Sequence, residues 1–418
     1  IQNARTHGKF EEERKFTAML KLFDPSSSLP VAERGKAPVA ITSFFTGKPL
    51  VLDEKVKAGQ IDDYVTPTFY APNVSWLVQR NGMNPRHSLM VSLNGSEGNH
   101  MHANGISMEL YGKGYVLGPD AGIGKTLYQG LDYLEYYSQF PSHNTVCVDG
   151  ISSYPVMKSN HSFKLRALYP AAGERLPYQP ISYSEVYFRE PETFADQTRL
   201  NGIVNVGDSA GYYIDIFRSR KVEGGDKMHD YFYHNLGQQM TLTAADGSEL
   251  GLQPTQELAF AGAHLYAYSY IYNKKRAVTS KDVKAGFTIQ MPDKDDITMN
   301  LWMKGEEGRE IFSALSPMTE GLSRIKNMPY SIKDQPTLTF VARQKGEAWN
   351  RPFVAVYEPS TLKEPSCIAS VDYPQVKSEQ QGSHVGIRVA LTNGNVDWIL
   401  SSDENAHHCN CLLYTSDA

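Results

Sequence analysis

His100, His102, Asp120 and His143 are the residues of this 418-residue chain whose types and spacing could do chemistry. On an extended backbone His100 and His102, separated by Met101 alone, point to the same face. A carboxylate and a third imidazole later in the chain complete a transition-metal pattern. Mixed nitrogen and oxygen donors favour Zn2+ over Mg2+ or Ca2+, which take all-oxygen shells. An imidazole outside such a shell titrates near neutral pH and can move protons. The same histidines would also serve as loop residues whose rings are satisfied by backbone groups, and the residues alone leave both readings open.

The elements that must position them are short. Ile106 to Tyr111 alternates as a strand, Gly112-Lys113-Gly114 is a turn, and Tyr115 to Asp120 returns. This register sets Asp120 roughly opposite Ile106, on the face shared by His100, His102 and Asn104. His102 nevertheless lies about 13 Å before Ile106 along a straight strand. The chain must therefore bend for His102 to meet Asp120, and Gly105 and Gly122 are where it can. His143 opens the next apolar run, HNTV. A cupin-type metal site also starts from two such histidines, but it wants a Glu about four residues later. Glu109 comes seven residues after His102, with the opposite parity.

The rest of the chain reads mainly as β. Hydrophobic residues make up 41% and charged residues 21%, with a net charge of −5 and no basic stripe, which argues against a nucleic-acid partner. No apolar run approaches the roughly 20 residues of a membrane-spanning helix. Glu11 to Phe23 is helical, with Phe16, Met19, Leu20 and Phe23 on one face to be buried. From Asp62 onward, short strands and turns follow one another, which predicts packed antiparallel sheets. Cys147 and Cys367 stand apart and form no disulfide framework. The chain starts at Ile1 without a leader and reads as a fragment. Its last residues, with His407, His408, Cys409 and Cys411, look like a non-native tail and are assigned no function.

The string HMHANGISMELYGKGYVLGPDAG, followed by HNTVCVDG, resembles the β-sandwich signature of the heparinase II/III-like polysaccharide lyases. The resemblance runs from Asp62 to about Leu400. It implies a large two-sheet antiparallel β-sandwich over 61–326, a smaller β module over 327–405, and a helical remnant of an α/α toroid over 1–60, with 406–418 the tail. It implies that His100 is an acid/base group in the cleft, and that His102, Asp120 and His143 hold a structural Zn2+. Many relatives carry Asp where this chain has Asn104, which is left out of the metal shell.

The implied reaction is β-elimination in a uronic-acid polysaccharide, of glycosaminoglycan or alginate type. A base takes the C5 proton and the C4 oxygen leaves. The partner Tyr and a carboxylate-binding Asn or His belong to the toroid, so this fragment is expected to be inactive as it stands. The family implies export to the periplasm or beyond. The competing readings are a non-catalytic carbohydrate-binding sandwich and a cupin-like metal-dependent oxidoreductase.

Overall fold

The computed structural model of the protein describes all residues except 24–56, 61–63, 83–87, 125–129, 153–156, 176–179, 208–209, 260–265, 320–331, 333–334, 378–381, 404–410 and 417–418. Two compact units divide the chain, Ile1–Thr66 and Pro67–Ala418.

The first unit holds helices Gln2–Thr6 and Phe10–Phe23. Glu11, Glu12 and Glu13 occupy the first turn of the longer helix, where negative charge complements the helix dipole. Glu13 is buried and pairs with Arg5 at 2.6 Å, so one ion pair ties the two helices together. The apolar stripe expected to be buried is open: Phe16 and Met19 are 44% and 37% exposed. Besides Glu13, the buried positions among the described residues are the small Ala4, Thr17 and Ala18, because two helices offer each other only a narrow contact.

The second unit is built from antiparallel sheets. Its centre is eight-stranded, in the order Gln239–Ala244, Val283–Ile289, Ile297–Met303, Ala348–Thr361, Gly211–Lys221, Ala195–Asn205, Ile181–Glu190, Lys164–Tyr169. Both faces of the middle strands of this sheet are buried, and the side-chain period of two sorts their residues. Tyr213, Phe217, Met299, Leu301, Phe353 and Tyr357 join one core, shared with a six-stranded and a five-stranded sheet. Tyr212, Ile214, Ile216, Val354 and Val356 point the other way, onto Ile387, Val389 and Ile399 of a four-stranded sheet. The mainly β, two-sheet sandwich is there, with a third layer on its back.

That third layer corrects the boundary expected at 327. Thr337–Lys345 lies inside the six-stranded sheet, between Arg309–Ser316 and Met228–Asn235. Ala348–Thr361 lies inside the central sheet, between Ile297–Met303 and Gly211–Lys221. Among the described residues, only the strands from Ile368 onward form the small module. Strands paired on both edges cannot leave with a separate module. Cys411–Ser416, in the tail set aside on sequence grounds, pairs with Val396–Ser402 as an edge strand of that module. His407, His408 and Cys409 lie outside the described residues.

Two small elements carry the site. In the five-stranded sheet, Ser107–Gly112 and Tyr115–Gly118 form a hairpin whose two turn residues, Lys113 and Gly114, both have positive φ, 55° and 87°. That pairing of angles suits the right-handed twist of the flanking strands. A bulge at Leu110/Tyr111 sets Leu110 opposite Gly118, and the return strand ends there, before the Asp120 expected from the sequence register. Beside the hairpin, Ser96–Asn99 pairs with Lys158–His161 in a two-stranded ribbon.

Candidate metal and proton-transfer site

His102, Asp120 and His143 converge, each offering a ligand atom within 4.8 Å of the others. The bends that make this possible are at Gly105 (φ 64°) and Gly122 (φ 81°). The Asp120 carboxylate accepts on both sides: Gly122 N donates to Oδ1 at 2.8 Å and His143 Nδ1 lies 2.9 Å from Oδ2. An ionised carboxylate only accepts, so the His143 Nδ1 is the donor of this bond, which leaves Nε2 as the ring's other nitrogen. That Nε2 is buried and has no hydrogen-bond partner among the described residues. The His102 ring stacks on His143 at 5.0 Å between centroids, with Tyr133 edge-on at 6.2 Å.

The electrostatics favour the forms a metal needs. Burial pushes the His102 pKa down to about 4, assisted by His143 and opposed by Asp120. Its ring is therefore neutral at physiological pH. Burial alone would raise the Asp120 pKa, but the charge and hydrogen bond of His143, with help from His102 and the Gly122 amide, hold it well below the ordinary carboxylate range. Zinc ligands at about 2.0–2.2 Å from the ion stand roughly 3.4 Å apart in a tetrahedron, so the cluster needs only a small contraction. Two imidazoles, one with an orphaned buried nitrogen, and a carboxylate are a donor set that fits Zn2+.

His100 is placed differently. It follows the ribbon strand, is exposed, and adopts a positive φ of 60°, while its backbone N–H donates to Met157 O at 2.8 Å. The shared face expected for His100 and His102 is therefore broken by a left-handed residue at His100. Ser96 Oγ donates to the His102 carbonyl at 2.7 Å and holds the inward turn. Asn104 is buried. Glu109 stays out of the cluster, its two oxygens taken by Asn94 Nδ2 at 2.7 Å and Tyr111 OH at 2.9 Å.

The sequence reading missed the residue that joins these pieces. Asn144 Nδ2 donates to the carbonyls of Met108 (3.0 Å) and Pro119 (3.3 Å), one from each end of the hairpin. Its Oδ1 accepts His234 N at 2.6 Å, and its backbone carbonyl accepts Met108 N at 3.1 Å. His234 is buried with both ring nitrogens engaged, by Thr339 Oγ1 at 3.0 Å and Pro141 O at 2.9 Å. His229 is likewise held, by Ser219 and Asp226. Both serve packing and alignment. The only sequence signal for Asn144 was its place beside His143.

No family model matches the chain. In sequence it is 29% identical, over 382 aligned residues, to an endo-acting ulvan lyase of Formosa agariphila; the alignment covers 86% of this chain and 44% of that protein. In structure it resembles heparan sulfate lyase HepC from Pedobacter heparinus, with a TM-score of 0.50 and 14% identity, covering 96% of this chain and 49% of that one. The chain thus spans about half the length of the proteins it matches. The chain is thus similar in sequence to a polysaccharide lyase and in fold to a heparan sulfate lyase.

Proposed function

We propose that this chain forms the β-sandwich wall of a polysaccharide lyase that cleaves a uronate-containing polymer by β-elimination. The observation that carries the reading is the division of labour between two neighbouring histidines. His102 turns inward to meet Asp120 and His143, while His100 stays at the surface beside it. In this reading His102, Asp120 and His143 hold a structural Zn2+, which fixes the loop that carries His100. His100 moves the proton at the reacting centre, and the remaining groups come from a helical toroid preceding this chain. The substrate class is a glycosaminoglycan, an alginate, or ulvan, the polymer named for the relative at 29% identity. Such a polymer is met outside the cytoplasm, so the protein is assigned to the periplasm or the exterior. Among the described residues no helix is long and apolar enough to cross a membrane.

The non-catalytic and cupin-like readings are less well supported. Glu109, the carboxylate nearest to what a cupin site requires, is committed to Asn94 and Tyr111. The test is turnover of a uronate panel, ulvan included, by the longer protein carrying the toroid. Elimination leaves a C4–C5 double bond conjugated to the carboxylate, so products absorb in the ultraviolet. No absorbing product from any polymer of the panel would sink the assignment. Zinc content of the present chain, measured by elemental analysis, tests the metal separately.

A further inference from the structure

Arg199, on the central strand Ala195–Asn205, is a guanidinium with no solvent exposure, set in the sandwich core. Its Nε and Nη2 donate to Asp215 Oδ1 and Oδ2 at 2.8 and 2.7 Å. Asp215 is further saturated by Asn201 Nδ2 at 2.8 Å and Tyr231 OH at 2.5 Å. The remaining nitrogen, Nη1, donates twice, to the carbonyls of Ile106 and Asn144, both at 2.6 Å. Those carbonyls belong to the two segments that must meet at the site. One leads from His102 through the Gly105 bend into the hairpin; the other directly follows His143.

Stability alone is a weak reason for a charge here, since buried ion pairs are often replaceable by apolar residues without loss. Spanning two carbonyls and a carboxylate at once is something only a planar five-donor fork can do. An ammonium group would keep the charge and lose the geometry. We propose that Arg199 is a positioning residue, whose bridge between the Ile106 and Asn144 carbonyls sets the separation of His102 from His143. The proposal rests on the zinc reading for one of its readouts, and a second readout is independent of metal.

The comparison pair is Arg343–Asp230, buried and bidentate at 2.6 and 2.9 Å, with no bond to either site carbonyl. Arg199→Lys, Arg343→Lys and Asp215→Asn are each compared with the wild-type chain. The measurements are thermal midpoint, zinc affinity by chelator competition, and the histidine ring resonances of the zinc-free chain. All three variants should lose thermal stability. Arg199→Lys alone should weaken zinc binding, by about 10- to 100-fold, and disperse the His143 ring signals into several conformations. Asp215→Asn keeps the carbonyl bridge and should hold zinc within about threefold of wild type, a result that decides the matter alone if Arg199→Lys does not fold.

Zinc affinity and ring signals in Arg199→Lys matching those of Arg343→Lys would overturn the proposal, as would loss of zinc in Asp215→Asn. If the wild-type chain takes up no zinc, the metal reading fails, and the ring signals still decide the role of Arg199.

Discussion

His100 and His102 are two residues apart, yet the fold treats them in opposite ways. His102 has its carbonyl held by Ser96, its ring stacked on His143, and its pKa lowered chiefly by burial. His100 sits at the surface on a left-handed backbone at the end of a two-stranded ribbon. The contrast teaches where the chain spends its rigidity. On the proposed reading, a metal cluster needs its donors fixed before the ion arrives, and buried hydrogen bonds would do that here. The proposed proton-transfer group must reach a polymer, which suits a place outside the core with a rigid neighbour as the anchor.

The sharpest way to break the comparison is to remove each ring in turn. In the toroid-bearing protein of the proposed reading, His100→Ala should lower turnover by about 10²- to 10⁴-fold, the usual worth of a general acid or base, with zinc content and melting midpoint unchanged. His102→Ala should lose the zinc and lower the midpoint. If the two variants fall alike in all three measurements, the histidines do not divide the work. Next in size is Asn144→Ala, which strands the carbonyls of Met108 and Pro119 and the amide of His234. Leaving buried groups unpaired costs about 1–3 kcal/mol each, partly relaxed, so a loss of about 3 kcal/mol is expected in urea unfolding. His143 should lose its fixed ring position in the same variant, while the His100 ribbon should not notice.

How much of this the sequence disclosed follows from the range of the interactions. The hairpin, a turn around Lys113 (read as Gly112-Lys113-Gly114) and the bends at Gly105 and Gly122 were legible, because turn chemistry and glycine freedom are local. His102, Asp120 and His143 were named as a set through residue type and family likeness, and the structure brings them together. The left-handed turn at His100 was not legible, since it depends on the ribbon partner at Met157, 57 residues away by number. Nor was the membership of Thr337–Lys345 and Ala348–Thr361 in the two large sheets. Strand pairing between distant segments leaves no mark in alternation, which reports burial of a face but not the neighbour on the edge. The exposed Phe16 and Met19 make the same point: periodicity identifies a stripe and says nothing about what covers it.

Acidity separates the buried half of the comparison from the rest. Burial pushes the His234 pKa down to about 3, against an ordinary value of 6.5. The folded state thus prefers the neutral ring, and unfolding takes up a proton once the pH drops below 6.5. The stabilisation is complete above that pH and is lost progressively as pH falls toward 3. Between pH 6.5 and 4.5 the loss from this one ring is on the order of 2 kcal/mol. Urea midpoints measured across that window should fall with pH, and His234→Gln should flatten the slope while lowering the plateau. An unchanged slope in that variant would mean the ring titrates freely in the folded protein.

The smallest expected effect comes from the glycines on either side of the histidine pair. Gly105 has a φ of 64°, and a Cβ there would stand 2.9 Å from Thr145 Oγ1, next to Asn144. Gly105→Ala therefore combines left-handed strain, about 1 kcal/mol, with a push against the segment that carries His143. Gly98, two residues before His100, also has a positive φ, 114°, but a Cβ there meets nothing within 4 Å. Both alanine variants should lose about 1–2 kcal/mol in unfolding from backbone strain. Only Gly105→Ala should also weaken zinc binding, because only there does the strain reach the cluster. Chelator competition on the two variants separates a strained backbone from a displaced ligand, and equal zinc affinity in both would show that the bend at Gly105 does not set the position of His102.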